Sequence, residues 1–178
     1  GRTVCTSKSP RCGVCPVSIH CRAYRAGSQA QRPVKAPRAP TPHYDMSAGF
    51  IRNRTGEILI AQRPAEGLLG GLWALPGGTC AAGESPTECL RRTLNASESE
   101  LTIDELAARV QHAFTHFRMT LHVYWCRWES ERESPDTSAY ADRRWVLPET
   151  LDSFAFARAD RRALYSIRQT SWLDDGSS

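Results

Sequence analysis

Gly70-Gly71-Leu72-Trp73-Ala74-Leu75-Pro76-Gly77-Gly78, followed by Glu84 and then by Ser85-Pro86-Thr87-Glu88, runs as strand, turn and helix start in succession. Leu72–Leu75 has the length and composition of a short buried strand. Pro76-Gly77-Gly78 ends it, because proline removes a backbone donor and glycine allows the chain to turn. Ser85 then offers an N-cap hydroxyl, Pro86 sits in the first turn, and Glu88 lies three residues after the cap, which is the pattern of a capping box. The spacing predicts a helix running through Leu90 and Leu94.

Outward from this stretch the pattern alternates between strand and helix. Phe50, Ile51, Ile58, Leu59 and Ile60 mark two strands joined by a turn at Asn53-Arg54-Thr55-Gly56. Met119, Leu121, Val123 and Trp125 alternate with Arg118, Thr120, His122, Tyr124 and Cys126, so residues 118–129 predict a strand with one buried face. Trp145-Val146-Leu147 predicts another short strand, and Ala159–Gln169 a final helix with Leu164 and Ile167 toward the core. The fold class is α/β (α+β), a mixed α/β sandwich. Asp104, Glu105, Asp160, Asp174 and Asp175 read as solvated helix or tail residues.

The strand, turn and helix resemble those of a Nudix domain. That family's box is G-x5-E-x7-R-E-U-x-E-E-x-G-U, with U a bulky aliphatic residue. Gly78, Glu84, Arg92 and Leu94 match it, whereas Thr93, Ala96 and Ser97 stand at the acidic positions and Ser99 at the late glycine. The resemblance implies that those acids hold divalent metal for attack on a diphosphate, which needs several carboxylate oxygens. Glu98 is one slipped carboxylate and does not rebuild the site. The expectation is a retained scaffold without the hydrolase chemistry.

Cys5, Cys12, Cys15 and Cys21 lie at the other end of the chain as C-x6-C-x2-C-x5-C. Four thiols in so short a span converge. Three readings stay open on spacing: an iron–sulfur cluster, favoured by the compact run and by Pro16 after Cys15; a four-thiolate zinc site; and disulfides. The chain's seven cysteines are an odd number, which weighs against disulfides alone. Residues 1–44 hold eight Lys/Arg and no acid, against fifteen Lys/Arg and nineteen acids in the rest. A basic segment of this kind is commonly a solvated linker; beside the cysteines it points instead to a polyanion partner, nucleic acid above all. Pro33, Pro37, Pro40 and Pro42, interleaved with Arg32, Lys35 and Arg38, make residues 27–44 an extended linker. Three parts follow: a cysteine loop over 1–26, the linker over 27–44, and the mixed α/β domain over 45–178. Residues 1–26 are too few to bury a core unaided, so the cysteine loop reads as the remnant of a larger domain.

A cysteine loop, a Pro-rich connector and a Nudix-like domain without its metal ligands, in that order, resemble the adenine-specific DNA glycosylases. Gly1-Arg2-Thr3-Val4-Cys5-Thr6, Cys12-Gly13-Val14-Cys15-Pro16-Val17 and Gly71-Leu72-Trp73 carry the resemblance, which covers essentially the whole chain. It implies removal of adenine mispaired with 8-oxoguanine or guanine in base excision repair, with a [4Fe-4S] cluster on Cys5, Cys12, Cys15 and Cys21. It also implies that the cluster loop ends an all-helical helix-hairpin-helix domain holding the catalytic carboxylates, so no catalytic residue is expected here and the chain alone is expected to be inactive. Base flipping is required because the target bond is unreachable inside the stack. Phe114-Thr115-His116 stands where the family carries its lesion-reading Phe-Ser-His. Thr115 keeps a hydroxyl and a backbone N–H for the edge of oxidised guanine, His116 adds a donor or acceptor, and Phe114 packs beside the base. Lys8 and Arg11, in the loop between the first two cysteines, are the expected phosphate contacts.

The implied partner is double-stranded DNA with A:8-oxoguanine mispairs, bound by a monomer. No apolar run approaches the ~20 residues that span a membrane. The cysteines fit a reducing compartment: the bacterial cytoplasm at the nucleoid, or the nucleus or mitochondrion of a eukaryote. Two alternatives are a Nudix-type nucleotide diphosphatase with a metal-binding tail, and a zinc-bound interaction module. Cys80, Cys89 and Cys126 lack ligand spacing and read as small buried hydrophobes.

Overall fold

The structure is a computed structural model that describes residues 3–6, 8–32 and 41–170. The chain divides into two units, Gly1–Pro40 and Thr41–Ser178. No helix among the described residues is long and apolar enough to cross a membrane.

The first unit is built from tight turns. Two 3-10 turns, Cys12–Val14 and Ser18–His20, lead into the one-turn helix α1 (Arg22–Arg25), and a third turn covers Gln29–Gln31. The prolines at positions 33, 37 and 40 lie outside the described residues.

The second unit starts with β1 (His43–Arg52), two residues before the expected boundary at 45. β2 (Ile58–Gln62), β3 (Trp73–Ala74), β4 (Gly77–Thr79), α2 (Pro86–Thr93), β5 (Leu101–Ala113), β6 (Arg118–Trp128), β7 (Asp142–Val146) and α3 (Arg158–Gln169) follow. The main sheet runs β3-β2-β1-β6-β5, with β4 paired to β1 and β7 to β2. β1 and β6 run parallel over ten residue pairs, from His43 opposite Arg118 to Arg52 opposite Arg127; the other pairings between these strands are antiparallel, and an isolated parallel bridge joins Trp73 to Phe156. The fold is the expected mixed α/β sandwich.

The period-2 alternation of the strands creates two cores. Phe50, Ile58 and Ile60 face one way and pack with Ala159, Ala163, Leu164 and Ile167 of α3. Ile51 and Leu59 face the other way and pack with Leu90 and Leu94 at α2. The capping box of α2 is formed: Ser85 Oγ accepts from the Glu88 N–H, and Glu88 Oε2 accepts from the Ser85 N–H at 3.0 Å.

Three features depart from the sequence reading. Gly77-Gly78 is not only a turn but the start of β4, laid against β1. A Cβ on Gly77 would fall on the Ser47 carbonyl, so glycine is what allows the approach. Asp104 and Glu105 are in β5, a strand that the sequence pattern did not reveal. Its pairing with β6 slips between Ile103 and Leu106 and again between Leu106 and Ala108, which breaks the alternation. Asp160 is not solvated: it is 4% exposed, in the first turn of α3.

Candidate functional site

The cysteine unit is drawn together by its own backbone. Cys15 N–H donates to the Cys12 carbonyl at 3.2 Å, Cys21 N–H to Ser18 at 3.1 Å, and Arg11 N–H to Val4 at 3.0 Å. None of the four cysteines is in a disulfide. Desolvation, and then the neighbouring thiols of Cys21, Cys15 and Cys5, push the Cys12 thiol up. The other three sulfurs are therefore within electrostatic reach of Cys12, although no three potential ligands among the described residues are gathered closely enough to hold a metal ion. As a donor set, four thiols fit an iron–sulfur cluster or a zinc ion.

The loop between the first two cysteines closes on itself, with the Thr6 hydroxyl donating to the Ser9 carbonyl at 2.7 Å. Lys8 is exposed on it. Arg11 has a structural duty that the sequence did not reveal: its guanidinium donates to the Thr3 carbonyl at 2.7 Å. It is exposed, with other N–H groups left to donate.

In the second unit, the Nudix-like loop and helix are locked by Glu84 and Arg92. Arg92 donates through Nε to Glu84 Oε1 at 2.7 Å and through Nη2 to Oε2 at 2.8 Å, and Nη2 also reaches the Thr79 carbonyl at 3.1 Å. Glu84 Oε2 accepts the Ala81 N–H at 2.8 Å. The Arg92 bonds, followed by the Ala81 N–H, hold the Glu84 carboxyl down at about 2. Gly78 lies against Thr93, whose Cγ2 would be 2.6 Å from a Cβ at that glycine. The segment after Glu84 supplies no further inward carboxylate: Thr93 donates to the Leu90 carbonyl, Ala96 is buried, and Ser97 N–H donates to Glu100. Glu100 is itself held by Arg132 at 2.7 Å.

Beside this loop lies a cavity of about 230 Å³ between Ser47, Arg63, Gly77, Tyr140 and Asp160. The Asp160 carboxylate accepts the Leu75 N–H at 3.0 Å, and burial nevertheless pushes it up to about 6. Tyr140 Oη accepts from the Gly77 N–H at 3.1 Å and donates to the Gly77 carbonyl at 2.9 Å. No sequence signal marked this cavity, because its lining comes from six separate segments. Of the remaining cysteines, Cys89 and Cys126 are buried as expected, while Cys80 is half-buried beside Cys89 and is pushed up to about 12, chiefly by desolvation.

Phe114, Thr115 and His116 form the tip of the β5–β6 hairpin. Phe114 N–H donates to the Phe117 carbonyl at 2.8 Å, which leaves Thr115 and His116 as a two-residue loop, both exposed. Phe114 is half-buried and stacks on Phe117 with ring centroids 4.4 Å apart and planes 25° apart. His112 meets Phe114 edge-on at 4.6 Å, and Tyr44 meets Phe117 edge-on at 5.7 Å. The tip thus presents two hydrogen-bonding side chains on an aromatic pedestal. Phe117 and Tyr44 were missed in the sequence, where the only available signal was a second Phe three residues after the first.

A family model described as NUDIX domain matches residues 47–166. The chain is similar to the human adenine DNA glycosylase, at 28% identity over 91% of this chain and 38% of that protein. It is also similar to the Escherichia coli CTP pyrophosphohydrolase, at 36% identity over 62% of this chain and 81% of that protein. A solved complex of the C-terminal domain of mouse MUTYH with human PCNA shares the fold at TM-score 0.53 and 20% identity, covering 71% of this chain and 88% of that domain. The chain spans less than half the length of the curated glycosylases it matches.

Proposed function

The chain belongs to the Nudix domain family, and from that premise we propose that it is the lesion-reading C-terminal part of an adenine DNA glycosylase. The observation that carries this is the hairpin tip: Thr115 and His116 stand exposed on the stacked pair Phe114–Phe117. The similarity to adenine DNA glycosylases over 91% of the chain supports it, and so does the loss of three acidic positions from the Nudix box.

The tip reads the base opposite the adenine. 8-Oxoguanine differs from guanine by a carbonyl oxygen at C8 and a hydrogen on N7. The Thr115 hydroxyl and N–H and the His116 ring offer donors to that oxygen and acceptors to that hydrogen. The Phe114–Phe117 stack fixes the backbone on either side of the two residues, so less freedom is lost at the turn on contact. Lys8 and Arg11 bind phosphate and set register without reading sequence. Cys5, Cys12, Cys15 and Cys21 would hold a [4Fe-4S] cluster, which when bound ties both ends of the Lys8–Arg11 loop. The resemblance assigns the carboxylates that cleave the N-glycosidic bond to a helical domain ahead of the cysteine loop, so the role proposed for this chain is to bind the mispair rather than to cleave.

Equilibrium binding to duplexes that differ only at the base opposite adenine tests this. Tighter binding to 8-oxoguanine than to guanine is expected, and equal affinity is the contrary result.

A further inference from the structure

One face of α3 is a concentration of positive charge that the overall balance conceals. Arg158, Arg161, Arg162 and Tyr165 fall at i, i+3, i+4 and i+7, so they share one side of the helix. All four are exposed, Tyr165 by 67%. They line an open groove of about 760 Å³ together with Phe156 and Ser166. The opposite side of the helix, Ala159, Ala163, Leu164 and Ile167, is buried in the core shared with Ala108 and Val110 of β5. The helix is therefore fixed and its arginine side faces outward.

These arginines are not consumed by internal pairing. The one acid of α3, Asp160, is buried and turned to the Leu75 N–H. Asp152 is held by Arg168 at 2.8 Å, with Arg161 contributing only at longer range. Among the described residues no hydrogen bond is made by the guanidinium of Arg158 or Arg161. Arg162 makes one, from Nη1 to the Gln111 carbonyl at 3.2 Å. Gln111 lies on β5, the edge strand of the sheet, three residues before Phe114. At ~3.4 Å per strand residue, that puts the arginine face about 10 Å of strand away from the start of the hairpin tip.

We infer that the Arg158–Arg161–Arg162 face of α3 is a second binding surface for the phosphodiester backbone of duplex DNA, distinct from the cysteine loop. Three guanidinium groups and a phenol match what phosphate oxygens accept. From Arg158 to Tyr165 the helix rises about 10 Å, the axial rise of roughly three phosphates on one strand. The face and the tip are joined by β5 and by the Arg162–Gln111 bond, so backbone contact on α3 would orient the tip. That orienting role rests on the proposed lesion reading, whereas the phosphate binding does not.

The test uses the full chain and an undamaged duplex, with affinity measured across a salt series. Arg158→Gln with Arg161→Gln leaves the Arg162–Gln111 bond and the buried side of α3 untouched. The double variant should bind less tightly, with a log K against log salt slope shallower by about 2. The preference for 8-oxoguanine over guanine, measured alongside, reports on the tip and does not enter this comparison. A wild-type affinity and slope would overturn the inference. So would a variant that loses binding to an acidic polyglutamate peptide while keeping its DNA affinity.

Discussion

Arg92 clasps Glu84 through two parallel hydrogen bonds, Nε to Oε1 at 2.7 Å and Nη2 to Oε2 at 2.8 Å, across the loop–helix that in Nudix hydrolases carries the metal-binding box. The two polar residues that survive from the box are thus spent on each other. The glutamate also ties down the Ala81 N–H, so the pair fixes the entry to α2.

Glu84→Gln should therefore lower thermal stability at neutral pH rather than abolish an activity. The sign follows from the depressed carboxyl. Its contribution is present above the ordinary carboxylate range of ~4 and lost as pH falls through about 2. The variant should show a smaller stability change over that acid range than the parent chain. Thermal melts from pH 7 to pH 2 check this, and an unchanged neutral melting temperature would count against the clasp.

No Mg²⁺-dependent hydrolysis of nucleoside triphosphates is expected from the chain. Divalent catalysis needs several carboxylate oxygens, and Thr93, Ala96 and Ser97 supply none. Phosphate release with a nucleotide panel is the measurement. Turnover that disappears in Glu84→Gln would revive the diphosphatase reading.

Asp160 behaves in the opposite sense to Glu84. Burial raises its carboxyl to about 6, so the folded chain holds this proton to a higher pH than the unfolded chain does. The associated stability is present below ~4 and lost as pH rises through about 6. The loss by pH 7 is on the order of 3 kcal/mol. Asp160→Asn keeps an oxygen for the Leu75 N–H and cannot ionise. Denaturant midpoints should fall between pH 4 and pH 7 in the parent and stay flatter in the variant.

Much of this organisation is legible in the sequence, and the parts that are not fail for physical reasons. Ser85-Pro86-Thr87-Glu88 announced α2 because a capping box is local chemistry. β6 was visible because Met119, Leu121 and Val123 keep strict alternation. β5 was not, because its two register slips place Asp104, Glu105 and an exposed Leu106 in sequence where alternation should continue. Asp160 looked solvated because its partner, Leu75, lies 85 residues away. The hairpin tip could be located from Phe114-Thr115-His116, but the stacking of Phe114 on Phe117 is a property of the turn. The arginine face of α3 was hidden in an average: residues 45–178 have more acids than bases, yet the helix displays its arginines on one side and buries its acid.

Leu90 tests the packing of α2 against the sheet. It is fully buried among Ile51, Leu59, Leu101 and Trp128. Leu90→Ala should cost about 2–5 kcal/mol through lost transfer energy and an unfilled cavity. Equilibrium urea unfolding measures it.

Iron and acid-labile sulfide should co-purify with the chain, giving it a brown colour, and Cys12→Ser should lose both. A colourless chain with one zinc would instead indicate a zinc-bound module.

Reading of oxidised guanine is the role proposed for the hairpin tip. The most direct measurement is the ratio of affinities for A:8-oxoguanine and A:guanine duplexes, in the parent chain and in Thr115→Ala with His116→Ala. A ratio well above one is expected in the parent, falling toward one in the double variant, with affinity for undamaged duplex mostly kept. A ratio left unchanged by the two substitutions would contradict it.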